Sequence, residues 1–118
     1  MLGSSLSKVE KLVRKGKANE LIRLTDDKDS ALRLKAIEGL GKVGGFAGLN
    51  ALITLLRDTD PAIRIAAAKA LEEQGDVKSR THVEYQLKNE QDEKVKEALR
   101  SALAKIKKEN PLFKTLDT

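Results

Sequence analysis

Leu52-Ile-Thr-Leu-Leu-Arg-Asp-Thr-Asp-Pro-Ala-Ile-Arg-Ile-Ala-Ala-Ala-Lys-Ala-Leu71 is the stretch whose reading decides the fold. Its apolar start belongs to a run over residues 47–56, where Leu49, Leu52, Ile53, Leu55 and Leu56 have the spacing of a helical face. Asp60 stands where a helix N-cap is needed. Its carboxylate accepts from free backbone N–H groups and suits the positive end of the helix dipole. Pro61 follows at the first helical position, where a missing N–H costs nothing. Behind it Ile63, Ala67 and Leu71 fall four residues apart, a second amphipathic stripe. The stretch reads as two short helices joined by a tight turn.

The same pattern recurs on both sides of it. Asp29-Ser-Ala-Leu-Arg33, Asp60-Pro-Ala-Ile-Arg64 and Asp92-Glu-Lys-Val-Lys96 begin 31 and then 32 residues apart. The helical runs behind them agree in register: Leu32, Ile63 and Val95; Ala36, Ala67 and Leu99; Leu40, Leu71 and Leu103. Gly44-Gly45 and Gly75 read as left-handed C-caps, and Gly41 falls with them as a sign of helix termination. Upstream, Leu21, Ile22 and Leu24 repeat Leu52, Ile53 and Leu55, and Leu6, Val9, Leu12 and Val13 make a first helix. The pattern predicts seven helices near 5–15, 17–25, 30–43, 46–57, 61–74, 77–89 and 93–108. Helices this short are marginal alone, and stacking turns their stripes into one core. The small residues Gly39, Ala66, Ala67, Ala70 and Ala102 suit close approach between layers. A coiled coil is excluded, because no stripe persists for several heptads without a Gly or Pro break. The expected fold is all-α: an α-α superhelix, or solenoid, of stacked antiparallel pairs. It forms one domain over 1–118, with repeats at 5–25, 29–57 and 60–89, a half-repeat at 92–108 and a tail at 109–118. The apolar tail segment Pro111–Leu116 is expected to cap the last helix or dock on a neighbour.

Composition narrows the function classes. Aromatics supply 3% of residues and Trp none, so the core is aliphatic. The absence of cysteine removes disulfides, thiolate nucleophiles and cysteine metal sites. No apolar run approaches the roughly 20 residues that span a bilayer. Nor does a cationic start lead into an apolar segment, as in a secretory signal. A cytoplasmic protein with no membrane partner is expected. Net charge is +5, and residues 1–25 alone hold six Lys or Arg against two Glu. Charge gathered at one end, rather than along a face, is a weak sign of phosphate tracking.

The stretch Leu52–Leu71 resembles a short HEAT repeat of the phycobilisome-lyase-like class, which runs Leu-Leu, Asp-x-Asp-Pro-x-Val-Arg, Ala-Ala-x-Ala-Leu. The opening Val9–Leu24 is similar to the first half-repeat of small microbial HEAT proteins. The resemblance spans about residues 5–108 and fades at Asp92-Glu93, which lacks the Pro. It implies a helical stack used as scaffold or adaptor. The enzymatic relatives differ. Deoxyhypusine hydroxylases carry iron-binding His-Glu pairs where this chain has Leu34-Lys35 and Ile65-Ala66. Phycobilin lyases and HEAT-like DNA glycosylases are longer, and the latter use aromatic and acidic residues in a basic cleft.

The pairs Asp29/Arg33, Asp60/Arg64 and Asp92/Lys96 read as caps with ion pairing between successive repeats, rather than as a recognition ladder. His82 is the only histidine. It lacks metal partners and a nucleophile to serve, so it reads as a solvated side chain. Asp26-Asp27 and Glu72-Glu73 read as ordinary polarity at turns and helix ends. No catalytic residue, metal site or cofactor is expected, and the chain is expected not to be an enzyme. If the second helix of each pair lines the concave face, the repeat offset sets out two columns there: Asn19, Asn50 and His82, then Arg23, Thr54 and Gln86, flanked by Arg57 and Lys88. The expected function is a non-enzymatic protein-interaction module holding a peptide or protein on that face. The alternative is binding of nucleic acid or another anionic surface by Lys8, Lys11, Arg14, Lys15 and Lys17. More remote is a role as accessory subunit of a lyase-type or other HEAT-family enzyme.

Overall fold

The computed structural model describes residues 2–108, with side chains from residue 5 onward. The expected capping tail at 109–118 lies outside the described residues. Seven helices follow one another: α1 (Leu2–Arg14), α2 (Ala18–Leu24), α3 (Ser30–Val43), α4 (Phe46–Leu55), α5 (Pro61–Gln74), α6 (Arg80–Asn89) and α7 (Glu93–Lys105). A 3-10 turn over Val77–Ser79 precedes α6, where a longer helix was expected. Asp76 causes it, accepting from Lys78 N–H at 2.9 Å while its carbonyl takes the Ser79 hydroxyl at 2.7 Å. No strand occurs among the described residues.

The expected caps are present. Asp29 accepts from Ala31 and Leu32, Asp60 from Ala62, and Asp92 from Lys94 and Val95. Gly75 closes α5 in the left-handed conformation. Gly44 and Gly45 differ from the expected C-cap. Both have positive φ but extended ψ, a region open almost only to glycine, and they turn the chain from α3 into α4 within two residues. Gly41 is a correction. It terminates nothing, lying buried inside α3, where a Cβ would stand 2.8 Å from the Ala70 carbonyl oxygen.

The odd helices form one row and the even helices another, in a slab of 53 × 33 × 18 Å. Leu21, Ile37, Leu40, Leu52, Leu56, Leu71, Val83, Val95 and Leu99 fill the core between them, almost entirely without solvent contact. Each even helix packs most extensively on the odd helix that follows it: α2 on α3, α4 on α5, α6 on α7. The expected grouping paired each even helix with the odd helix before it. The Asp turns explain the difference. Asp27, Asp58 and Glu90 each accept the N–H of the capping Asp two residues on, which pins an even helix to its successor. The glycine turns instead swing the chain away. At the far end, the register position filled by the buried Ile37 and Ala68 is taken in α7 by the exposed Arg100.

Candidate interaction surface

A stack of two helix rows bends toward the row whose members lie closer together. Along the odd row, α3 packs extensively on α5, α5 on α7 and α1 on α3. Along the even row, α2 and α4 share a small contact, and α4 and α6 make none of comparable extent. The odd row is therefore the inner, concave one.

One register position differs in bulk from contact to contact along the odd row. In α3 it is Gly41, set against Ala70 with room for no side chain, and helix spacing follows the bulk at such contacts. The equivalent positions 31 residues to either side are Glu10 in α1 and Glu72 in α5. Grooves open at both. The α1/α3 groove, about 400 Å³, is lined by Leu6, Val9, Val13 and Gly39, with Glu10, Arg14, Lys35, Glu38 and Lys42 around them. The α5/α7 groove, about 630 Å³, is lined by Lys69, Glu72, Glu73, Ala98, Ser101 and Lys105. There Glu72 accepts from the Ser101 hydroxyl at 2.8 Å and pairs with Lys105 at 3.5 Å. Glu72 thus spans two helices, where it was expected to be ordinary turn polarity.

Of the expected ladder pairs, one ladder residue, Arg64, makes an ion pair to the next repeat among the described residues, through a partner that sequence reasoning missed. Arg64 donates from Nε and Nη2 to the two oxygens of Glu90, at 3.0 and 2.9 Å, and from Nη1 to the carbonyls of Asp58 and Thr59. Glu90 is 4% exposed and also accepts from Gln86 and from Asp92 N–H. Burial pushes its carboxyl up. The bonds from Arg64, Gln86 and Asp92 and the Arg64 charge outweigh that and hold it below the usual carboxylate range. The signal lay in the register of Asp27, Asp58 and Glu90, where the last has the longer side chain. Arg33 corresponds to Arg64, and its partner position is Asp58, a methylene shorter. No ion pair joins the two among the described residues, and Arg33 Nε is buried without a partner.

Asn19, Arg23, Asn50, Thr54, Arg57, His82 and Lys88 are exposed and Gln86 is half-buried, all on or beside α2, α4 and α6. They belong to the even row, so the inward lining expected of them falls to the odd helices. The odd row packs more closely along its whole length, with Gly41 on Ala70 as its tightest described glycine-to-backbone contact across helices. They are also not gathered into one cleft. Asn19 and Arg23 border a shallow hollow with Ala47, while Arg57 and Gln86 border another beside Arg64. Phe46 and Tyr85 are exposed on the even helices and line none of these grooves. Lys8, Lys11, Arg14, Lys15 and Lys17 are all exposed and make no ion pair among the described residues. Also among the described residues, no group of three His, Cys, Asp or Glu side chains could hold a metal, and no helix is long and apolar enough to cross a membrane.

A family model for HEAT repeats matches residues 18–104, from the first residue of α2 to the last turn of α7. No curated protein gives a significant match.

Proposed function

The chain belongs to the HEAT-repeat family, and from that premise we propose that it is a non-enzymatic interaction module holding a protein or peptide on its inner face. That face is made by α1, α3, α5 and α7. The carrying observation is the unequal spacing of the two rows, which makes the odd row the inner one, with grooves along it at α1/α3 and α5/α7. A concave surface shields a guest from water better than a convex one. The repeat units we propose are α2–α3, α4–α5 and α6–α7, with α1 as an added inner helix. The likeness of Leu52–Leu71 to the short phycobilisome-lyase-like class supports membership of that class, and the lack of cysteine fits a cytoplasmic site of action.

Photo-crosslinking side chains at Lys69 on the inner face and at Thr54 on the outer row test the assignment in the native cell. Protein adducts are expected from position 69 and not from 54. The reverse labelling would move the partner to the polar columns of the even helices, and silence at both would remove the interaction reading.

A second reading rests on the five exposed cations of the first helix and its turn, which make no ion pair among the described residues. Binding of DNA or RNA would then weaken steeply with salt, roughly as counterions are released from each neutralised phosphate. A filter-binding assay without retention at low salt would dismiss it.

A further inference from the structure

The two inner-face grooves differ in what is left unsatisfied. In the α5/α7 groove the lining is mostly polar, and Glu72 is already bound by Ser101 and Lys105. The α1/α3 groove has an apolar floor of Leu6, Val9 and Val13, with Leu6 and Val13 half-exposed. Its edges carry three cations, Arg14, Lys35 and Lys42, against Glu10 and Glu38. Glu38 is shared between Lys35 and Lys42 at 3.5 Å each, so neither cation is neutralised by a carboxylate of its own. Behind Arg14 the exposed side of α1 adds Lys11 and Lys15, with no acid paired to any of the three among the described residues. An apolar channel is thus set in a field of net positive sign.

We infer that the α1/α3 groove is a docking site for an acidic amphipathic helix of a partner protein. Its apolar face lies on Leu6 and Val13, above the buried Val9, and its carboxylates meet Arg14, Lys35 and Lys42. The inference names the partner chemistry for the interaction role proposed above and rests on it. Protein is favoured over nucleic acid by the apolar floor and by the absence of any aromatic side chain in the groove on which a base could stack. The groove runs along a helix face, which suits the helix-in-groove mode of recognition.

The probe is a synthetic peptide of about four helical turns, built from Leu and Glu in amphipathic order and labelled for fluorescence anisotropy. Its counterparts replace every Glu by Lys, or every Leu by Gln. The acidic amphipathic peptide alone should bind, with backbone amide shifts confined to Leu6–Arg14 and Lys35–Lys42. The double variant Arg14→Glu, Lys42→Glu alters two exposed side chains and should keep its circular dichroism while losing about tenfold or more in affinity. Equal binding of the basic peptide, undiminished binding by the Gln counterpart, unchanged affinity of the double variant, or shifts on α2, α4 and α6 would each overturn the inference. So would a DNA duplex that occupies the same residues more tightly than the peptide. If the peptide fails while position 69 still crosslinks to protein, the partner chemistry falls and the interaction role stands; if both fail, the role falls too.

Discussion

Two joints in the odd row occupy the same register and are held by different means. Between α3 and α5, Gly41 lets backbone rest on backbone at Ala70, and the polar contribution is one long bond from Gln74 to the Gly45 carbonyl. Between α5 and the α6–α7 unit, Glu72 reaches across to Ser101 and Lys105, and Arg64 locks onto Glu90. A contact of small residues is short, dry and intolerant of bulk. A joint of long side chains leaves a groove and depends on charge. At this register position one repeat carries Gly41 and the next Glu72.

The most damaging way to break the second joint is Arg64→Met. It leaves the Glu90 carboxylate buried without its charge partner, and removing one member of a buried pair typically costs about 3–5 kcal/mol. Arg64 retains some exposure, so the lower end applies. A loss of about 3 kcal/mol, or roughly 15 °C in Tm, is expected by thermal melting. A change below roughly 1 kcal/mol would show that the pair does not hold the joint. The first joint should fail through bulk instead. Gly41→Val forces atoms against the Ala70 backbone, which cannot yield as a flexible side chain would, and should cost about 2 kcal/mol by denaturant titration. A neutral result would mean that α3 and α5 slide apart freely.

Acid should sharpen the contrast. The Glu90 carboxyl titrates below the ordinary glutamate value of 4.5, so its stabilisation is present at neutral pH and is lost as pH falls through the depressed value. The Tm difference between the native chain and Glu90→Gln should be open at neutral pH and close in stronger acid. A difference that grows on acidification would contradict the sign. The smallest effect is a gain. Asp58→Glu supplies the missing methylene opposite Arg33, and satisfying its buried Nε should add about 1 kcal/mol. An unchanged melting curve would show that the longer carboxylate does not reach.

Much of the fold could be read from the chain because the signals were local and repeated. Asp29, Asp60 and Asp92 announce three helix starts, and Pro61 and Gly75 agree with them. Which row turns inward could not be read that way. It depends on the spacing between helices, set by pairs such as Gly41 and Ala70 that are far apart in sequence. Glu90 was overlooked because it looks like any charged residue after a helix, and only the fold brings Arg64 to it across 26 positions. The even-row columns were a sound reading of register attached to the wrong side of the bend.

A bent stack has ends as well as faces, and its ends match by construction, since each layer is shaped to receive the next. Copies of such a chain can thread head to tail into open filaments, because a contact between unlike ends never closes. The exposed Arg100, standing where α3 and α5 carry Ile37 and Ala68, works against this, as do Lys11 and Lys15 at the opposite end. Exposed charge on these outward surfaces of α1 and α7 disfavours end-on contact between copies of the described stack. Arg100→Leu is the change after which concentration-dependent growth in sedimentation should first emerge; a variant that stays the size of the native chain at every concentration would deny these residues that part.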